Sequence, residues 1–321
     1  MRDVAALLDR LAQVPGREGR LRHVEVLPAR EAVHVDWPDW VHDDVRDAFA
    51  RNGVARPWRH QVVAADAAHA GDHVVLATGT ASGKSLAYQA PALTAIRSSR
   101  GARDERGASV LYLAPTKALA QDQLAGLRTL GIDVRVSTHD GDSSREERDW
   151  TRDFGEYVLT NPDMLHHSML PSHARWSDFW RTLRYVVVDE CHHYRGVFGA
   201  HVAHILRRLR RICASYGASP TFVLASATVA EPETAAARMT GLDVVAVTAD
   251  ESPRGRTWLG LWEPPLTSHT GENGAPVRRA ASSETADLLA DLVSEDVRTL
   301  AFIRSRRGAE QVALTAAELL A

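Results

Sequence analysis

The sequence predicts an α/β fold built on a mostly parallel sheet. Three observations lead there. From residue 73 onward, short apolar runs alternate with longer helical stretches. Several of those runs are continuously apolar rather than alternating in polarity, the mark of strands covered on both faces. Small-residue or acidic clusters stand at the ends of three runs, at residues 78–85, at Asp189-Glu190 and at Ser226-Ala227-Thr228. Open α/β sheets bind their ligands at that end of the strands.

Taken in order, residues 1–50 form an N-terminal extension: two weakly helical stretches around a β-like segment, His23-Val24-Glu25-Val26-Leu27. Trp37-Pro38-Asp39-Trp40 reads as a helix start, with Pro near the first turn. Strands are expected at 73–77, 109–114, 134–137, 157–160, 185–189 and 221–225. Helical stretches at 117–130 and 201–216 supply crossovers between them. These elements make one domain over 51–249. Residues 250–283 are rich in Pro, Gly, Ser and Thr and read as a linker and loop. A helix over 284–294, a strand over 299–303 and a closing helix follow. One strand between two helices cannot bury a core alone. A second domain is therefore expected to begin in 284–321 and to be cut off.

Composition sets the outer bounds. The chain has 321 residues, 45% hydrophobic and 25% charged, ordinary for a soluble globular protein. No apolar run approaches the roughly 20 residues that span a bilayer, so no membrane partner is expected. Acids inside residues 1–10 argue against a secretory signal. Two cysteines, Cys191 and Cys213, cannot build a disulfide framework, which points to a reducing cytoplasm. The net charge of −3 is slightly against a simple basic DNA-binding domain. A protein that holds a nucleic-acid backbone through amides, hydroxyls and a few arginines does not need more.

Thr78-Gly79-Thr80-Ala81-Ser82-Gly83-Lys84-Ser85 follows an apolar strand and leads into a helix. Small residues let backbone N–H groups wrap phosphates at a helix N-terminus. Lys84 is placed to reach the β- and γ-phosphates of ATP, and the Ser85 hydroxyl to meet Mg²⁺. Thr78 stands where such loops carry their first glycine. About 105 residues after Lys84, another apolar strand ends in Asp189-Glu190-Cys191-His192. ATP-bound Mg²⁺ takes few protein ligands, commonly one carboxylate, and Asp189 suits it. Glu190 is placed to orient and deprotonate the attacking water. Ser226 and Thr228 are expected to hydrogen-bond His192 and so tie the hydrolysis site to the next strand. An acid pair or a Ser-Ala-Thr on its own is an ordinary turn; three such clusters at one sheet edge are not. Zinc is not expected at the chain's paired histidines, which lack partners at ligand spacing.

The ordered set resembles the first RecA-like domain of superfamily 2 helicases of the DExH type. Pro57-Trp58-Arg59-His60-Gln61 resembles the segment preceding the phosphate loop, and the resemblance implies that Gln61 reads adenine. Residues 80–85 resemble motif I, with Thr80, Ala81, Ser82, Gly83, Lys84 and Ser85 on the nucleotide. Ala114-Pro115-Thr116-Lys117 resembles motif Ia, and Thr160-Asn161-Pro162-Asp163 motif Ib. Pro115, Thr116, Lys117, Thr160, Asn161 and Pro162 are thus the candidates for gripping a strand, through hydroxyls, amides and helix N-termini. Asp189 to His192 resemble motif II, Ser226 to Thr228 motif III, and Phe302-Ile303-Arg304-Ser305-Arg306 motif IV, where a second RecA-like domain opens. The phosphate loop and Tyr194-Arg195-Gly196-Val197-Phe198-Gly199 are similar to the MrfA/YprA branch, related to RecQ-like enzymes. That branch implies 3′→5′ movement on single-stranded or partly duplex DNA, in DNA repair. The resemblance covers about residues 20–321 and lacks the motifs that complete hydrolysis from the second RecA-like domain. The chain by itself is expected to hydrolyse ATP very slowly. An RNA helicase, or an ATP-gated binding module without unwinding, are the competing readings.

Overall fold

The computed structural model describes residues 3–100, 107–227 and 229–321. In chain order the first half runs α1 (Val4–Gln13), β1 (Leu21–Leu27), α2 (Asp43–Arg51), α3 (Arg59–Ala70), β2 (Val74–Ala77), α4 (Lys84–Ser99), β3 (Ser109–Leu113), α5 (Lys117–Thr129), β4 (Val136–Thr138), α6 (Arg145–Phe154) and β5 (Tyr157–Thr160). Then come α7 (Pro162–Met164), α8 (Ser177–Thr182), β6 (Leu183–Val188), α9 (Gly196–Ser215), β7 (Thr221–Ser226), α10 (Pro232–Thr240) and β8 (Val245–Val247). The remainder is β9 (Thr257–Trp262), β10 (Leu266–Thr270), β11 (Pro276–Arg278), α11 (Ala281–Ser294) and α12 (Arg306–Leu320).

The larger compact unit, Glu31–Pro253, is a seven-stranded sheet in the order β4-β5-β3-β6-β7-β2-β8. Every pairing in it is parallel. Alternate residues of each strand go to opposite faces, and both faces are covered. Val74, Leu76, Val110, Tyr112, Tyr157, Leu159 and Val187 enter one core. Val75, Leu111, Leu113, Val158, Val186 and Val188 enter the other. That is why the strands read as unbroken apolar runs. The strands expected over 73–225 are all present, and β8 joins them at the edge beyond β2. It is only three residues long and its Val245 is exposed, so it carries little pattern.

The smaller unit comprises Met1–Arg30 and Arg254–Ala321. Within it β1 pairs antiparallel with β9, and β10 with β11. Glu284 is buried and accepts from Arg20, Arg279 and the Trp262 indole.

Several expectations are corrected here. Residues 31–50 belong to the larger unit, because Val41, Val45, Ala48 and Phe49 are buried in its core. The helix expected from Trp37 starts later, at Asp43, where the His42 ring accepts from the Asp44 N–H. Residues read as linker and loop carry β9, β10 and β11. Residues 299–303 form no strand: Leu300 and Phe302 are 82% and 90% exposed. An apolar run becomes a strand only when a neighbour takes its backbone groups. Among the described residues no helix is long and apolar enough to cross a membrane.

Candidate active site

The loop at 78–83 connects β2 to α4. Thr78 is buried, and its hydroxyl meets that of Ser82 at 2.6 Å. This side-chain pair closes the loop at the position where a glycine is usual. Ala81 and Gly83 both take left-handed backbone, with φ of 61° and 63°, which turns successive N–H groups inward. Gly83 cannot be replaced: a Cβ there would lie 2.5 Å from Gln61 Nε2 and 2.9 Å from the Trp58 ring. Lys84 Nζ donates to the carbonyls of Gly79 (2.9 Å) and Thr78 (3.4 Å), over the loop it serves.

The segment before α3 holds that loop from behind. Gln61 is buried; its Oε1 accepts from the Trp58 N–H and its Nε2 donates to the Gly83 carbonyl, both at 2.8 Å. His60 accepts from the Glu251 N–H through Nδ1. Its Nε2 therefore carries the proton and donates to the Ser82 carbonyl at 2.9 Å. Both ends of the Gln61 amide are thus engaged within the protein, with a second N–H and a second lone pair left over.

Across the sheet edge, Asp189 follows β6. Its Oδ2 lies 2.5 Å from the Tyr112 hydroxyl and 3.1 Å from that of Tyr88, and its Oδ1 accepts from the Glu190 N–H. The Tyr88 hydroxyl also lies 3.1 Å from Ser85 Oγ. Its single proton serves the carboxylate, which can only accept; Ser85 then donates to Tyr88 and accepts from Gln123 Nε2 at 3.3 Å. Burial, then the Asp189 charge, pushes the Tyr88 hydroxyl's pKa well up. Both tyrosines stay protonated donors.

Glu190 takes a left-handed φ of 47°, a strained backbone for a side chain of its kind. His192 Nδ1 lies 3.2 Å from the Ala227 N–H and 3.2 Å from Glu190 Oε2. These two neighbours make opposite demands. The amide is only a donor, so Nδ1 accepts and the ring is neutral. Burial, which holds the His192 pKa below its usual value against the pull of Glu190, agrees. Among the described residues, the link from Glu190 and His192 to the end of β7 runs through the Ala227 backbone amide. The Ser226 side chain instead bonds the Cys191 thiol, whose pKa burial pushes up to about 12. Thr228 lies outside the described residues. Oxygen and nitrogen atoms of Glu190, His192 and His193 lie within 4.8 Å of one another, a cluster that belongs to this same edge.

The strand-gripping candidates are less uniform. Thr116 caps α5, accepting from the Leu119 N–H, and Asn161 caps α7, accepting from the Met164 N–H. Lys117 is half-exposed and ion-paired with Asp142 at 2.7 Å. Pro115 precedes that cap on the surface, whereas Pro162 is buried at the first turn of α7. Thr160 departs from expectation. It is buried and donates to the His139 carbonyl at 2.6 Å, so it fastens β5 to β4 and shows no group to solvent. The residues missed from sequence are Tyr88, Tyr112, His60 and Gln123. Each lies in an apolar or helical pattern that packing alone explains. Tyr88, one helical turn after Lys84, was the only one with a positional signal.

Residues 58–236, more than half of the chain, match the family model described as DEAD/DEAH box helicase. The chain is 38% identical to the uncharacterized ATP-dependent helicase YprA of Bacillus subtilis, over 94% of this chain and 39% of that one. It is 33% identical to the ATP-dependent helicase HRQ1 of Saccharomyces cerevisiae, over 96% of this chain and 28% of that one. A crystal structure of the DUF1998 helicase MrfA bound to DNA superposes with a TM-score of 0.89 at 35% identity, covering all of this chain and 44% of that one. The chain thus spans well under half the length of each of these relatives.

Proposed function

Because the chain belongs to the DEAD/DEAH box helicase family, we propose that it is the ATP-binding part of a motor that moves along DNA. The observation that carries this reading is the placement of Lys84 and of Asp189 with Glu190 on one edge of one parallel sheet. In this reading the backbone N–H groups of 80–83 cradle the phosphates of ATP, and Lys84 leaves its two loop carbonyls to meet them. Ser85 and Asp189 would hold Mg²⁺: both present hard oxygens within 3.1 Å of the one Tyr88 hydroxyl, a donor set that suits that ion. Bound there, the metal neutralises charge on the phosphates. Glu190 orients a water and takes its proton as the water's oxygen bonds the γ-phosphorus and the bond from that phosphorus to the bridging oxygen of ADP breaks. The neutral His192, tied to Ala227, relays the state of that acid to β7. Gln61 and His60 act through the loop carbonyls they hold, with adenine as the further partner of Gln61.

Thr116, Lys117 and Asn161 with the turn at Pro162 grip one strand by its phosphates, and a second RecA-like lobe completes hydrolysis. DNA is favoured because the MrfA relative is described bound to DNA; 3′→5′ direction and a role in repair follow the same branch. The buried, unpaired thiols of Cys191 and Cys213 suit a cytoplasmic setting. Nucleic-acid-stimulated ATP turnover and strand separation, measured on the full-length protein with matched DNA and RNA, test the proposal. Stimulation by DNA supports it; stimulation by RNA alone makes it an RNA helicase; turnover with no dependence on either strand rejects it.

A further inference from the structure

A second concentration of charge lies away from the nucleotide. Helix α6 divides its charges between two faces. Arg145, Arg148, Asp149 and Arg152, at helical spacing i, i+3, i+4 and i+7, line a cavity of about 380 Å³ together with His139, Ser168 and Arg175. Glu146 and Glu147 turn to a different cavity, beside Asp140 and Asp142. Two of the helix's acids, Glu146 and Glu147, thus lie apart from its arginines, while Asp149 stays among them.

Four guanidinium groups share this cavity with one carboxylate. Asp149 pairs with Arg152 at 2.5 Å, with Arg175 at 3.4 Å and with Arg145 at 4.0 Å, and Arg152 also pairs with Asp153. The excess positive charge remains after both acids are counted. Arg145 and Arg175 keep most of their side-chain surface open to solvent, so their forked donors are available to an incoming anion. His139 adds a polar atom. Its ring is 3% exposed, Nε2 lies 3.1 Å from the Ser168 hydroxyl, and Nδ1 has no partner among the described residues. Burial, followed by the Arg148 charge, lowers its pKa to about 4, so the ring is neutral. In the tautomer in which Ser168 donates to Nε2, Nδ1 carries the proton and can donate to an anion in the cavity.

One wall of the cavity is bonded to the segment that carries the candidate strand grip. The His139 carbonyl accepts from the Thr160 hydroxyl at 2.6 Å, and its N–H donates to the Leu159 carbonyl. Ser168 sits in the helical turn Leu165–Met169 that extends α7, whose cap is Asn161. One wall of the cavity and the 161–162 turn are therefore parts of one bonded piece.

We propose that this arginine-lined cavity is a second phosphate-binding site, which takes the backbone of a single strand where it continues past the turn at Asn161 and Pro162. The site adds phosphate contacts without reading bases. It rests on the nucleic-acid reading above.

The test compares the 321-residue chain with its Arg145→Glu/Arg175→Glu double variant. Both residues are exposed, and neither belongs to the nucleotide site. Labelled thymidine strands of about 5 and about 20 nucleotides are titrated at several salt concentrations. The expected result is a loss of about tenfold on the long strand. Its log–log salt slope should fall by about 1.4, two phosphates at about 0.7 each. Short-strand binding, ATP binding and the thermal midpoint should stay unchanged. An Arg145→Lys/Arg175→Lys variant should keep the slope while losing part of the affinity, since lysine holds charge without the fork. Equal long-strand affinity and slope in the double-Glu variant overturns the site. So does a variant that loses binding of inorganic tripolyphosphate but not of the long strand, which makes the ligand a free phosphate. If the unmodified chain binds neither strand, the nucleic-acid reading itself fails, and this site with it.

Discussion

The hydroxyl of Tyr112 donates to Asp189 Oδ2 at 2.5 Å, so the carboxylate proposed for the metal is oriented from the neighbouring strand rather than left to its own rotamers. Tyr88 approaches the same oxygen from α4. A hydrogen bond to a charged group contributes about 1.5–3 kcal/mol. Tyr112→Phe is expected to lower stability by about that amount and to weaken the Mg²⁺ dependence of nucleotide binding several-fold. Binding of ATP in the presence of a chelator should stay the same. A Mg²⁺ titration monitored by a fluorescent nucleotide gives the answer; an unchanged midpoint would mean that the two tyrosines only fill the core.

Lys84 and Glu190 separate binding from chemistry. Lys84→Ala removes the one ammonium on the loop and should abolish nucleotide binding at concentrations that saturate the parent. Glu190→Gln keeps shape and loses the base. It should bind ATP normally, while turnover in the full-length protein falls by about 10²-fold or more. Full turnover by the glutamine variant would take the base role away from Glu190.

The ion pair between Lys117 and Asp142 gives the strand grip a signed test. If Lys117 neutralises a phosphate, Lys117→Ala should reduce the log–log salt slope of single-strand binding by about 0.7. Asp142→Asn releases the same ammonium and should tighten binding. Filter binding across a salt series would show both changes with opposite sign, and identical behaviour of the two variants would remove Lys117 from the interface.

Glu156 predicts a pH dependence. It is fully buried and bonded by Arg100 (2.7 Å) and Arg135 (2.9 Å). Burial alone would raise its pKa, but the bonds from Arg100 and the Arg135 backbone overcome it, and the carboxyl titrates below its usual value. A depressed carboxylate stabilises the fold above the unfolded pKa and loses that contribution as pH falls through the folded one. Denaturant midpoints should therefore drop below about pH 4.5. Glu156→Gln should be less stable than the parent at pH 7 and should flatten that acid limb. Removing one partner of such a buried pair costs about 3–5 kcal/mol.

The seven-stranded sheet and its loaded edge were legible because burial on both faces writes itself as continuous apolar runs, and because phosphate chemistry demands Gly83, Lys84 and an acid pair at strand ends. What was not legible depends on neighbours. Residues 299–303 have strand composition and no strand beside them, whereas β9 lies in a Pro- and Gly-rich stretch and pairs with β1. Composition speaks to propensity, and pairing is decided elsewhere in the chain. The same holds for side chains. Thr160 has the right residue type and position for a surface contact, yet it points inward to His139. Tyr112 reads as core and yet carries a polar duty. His192 accepts from the Ala227 amide, a partner that no residue type announces.

The clasp between Thr78 and Ser82 bears on how the nucleotide arrives. A glycine at position 78 would leave the loop to sample many shapes and to lose that freedom on binding. A loop already closed by two hydroxyls forfeits little when a ligand settles, so ordering takes a smaller share of the affinity. Such a loop trades range for readiness.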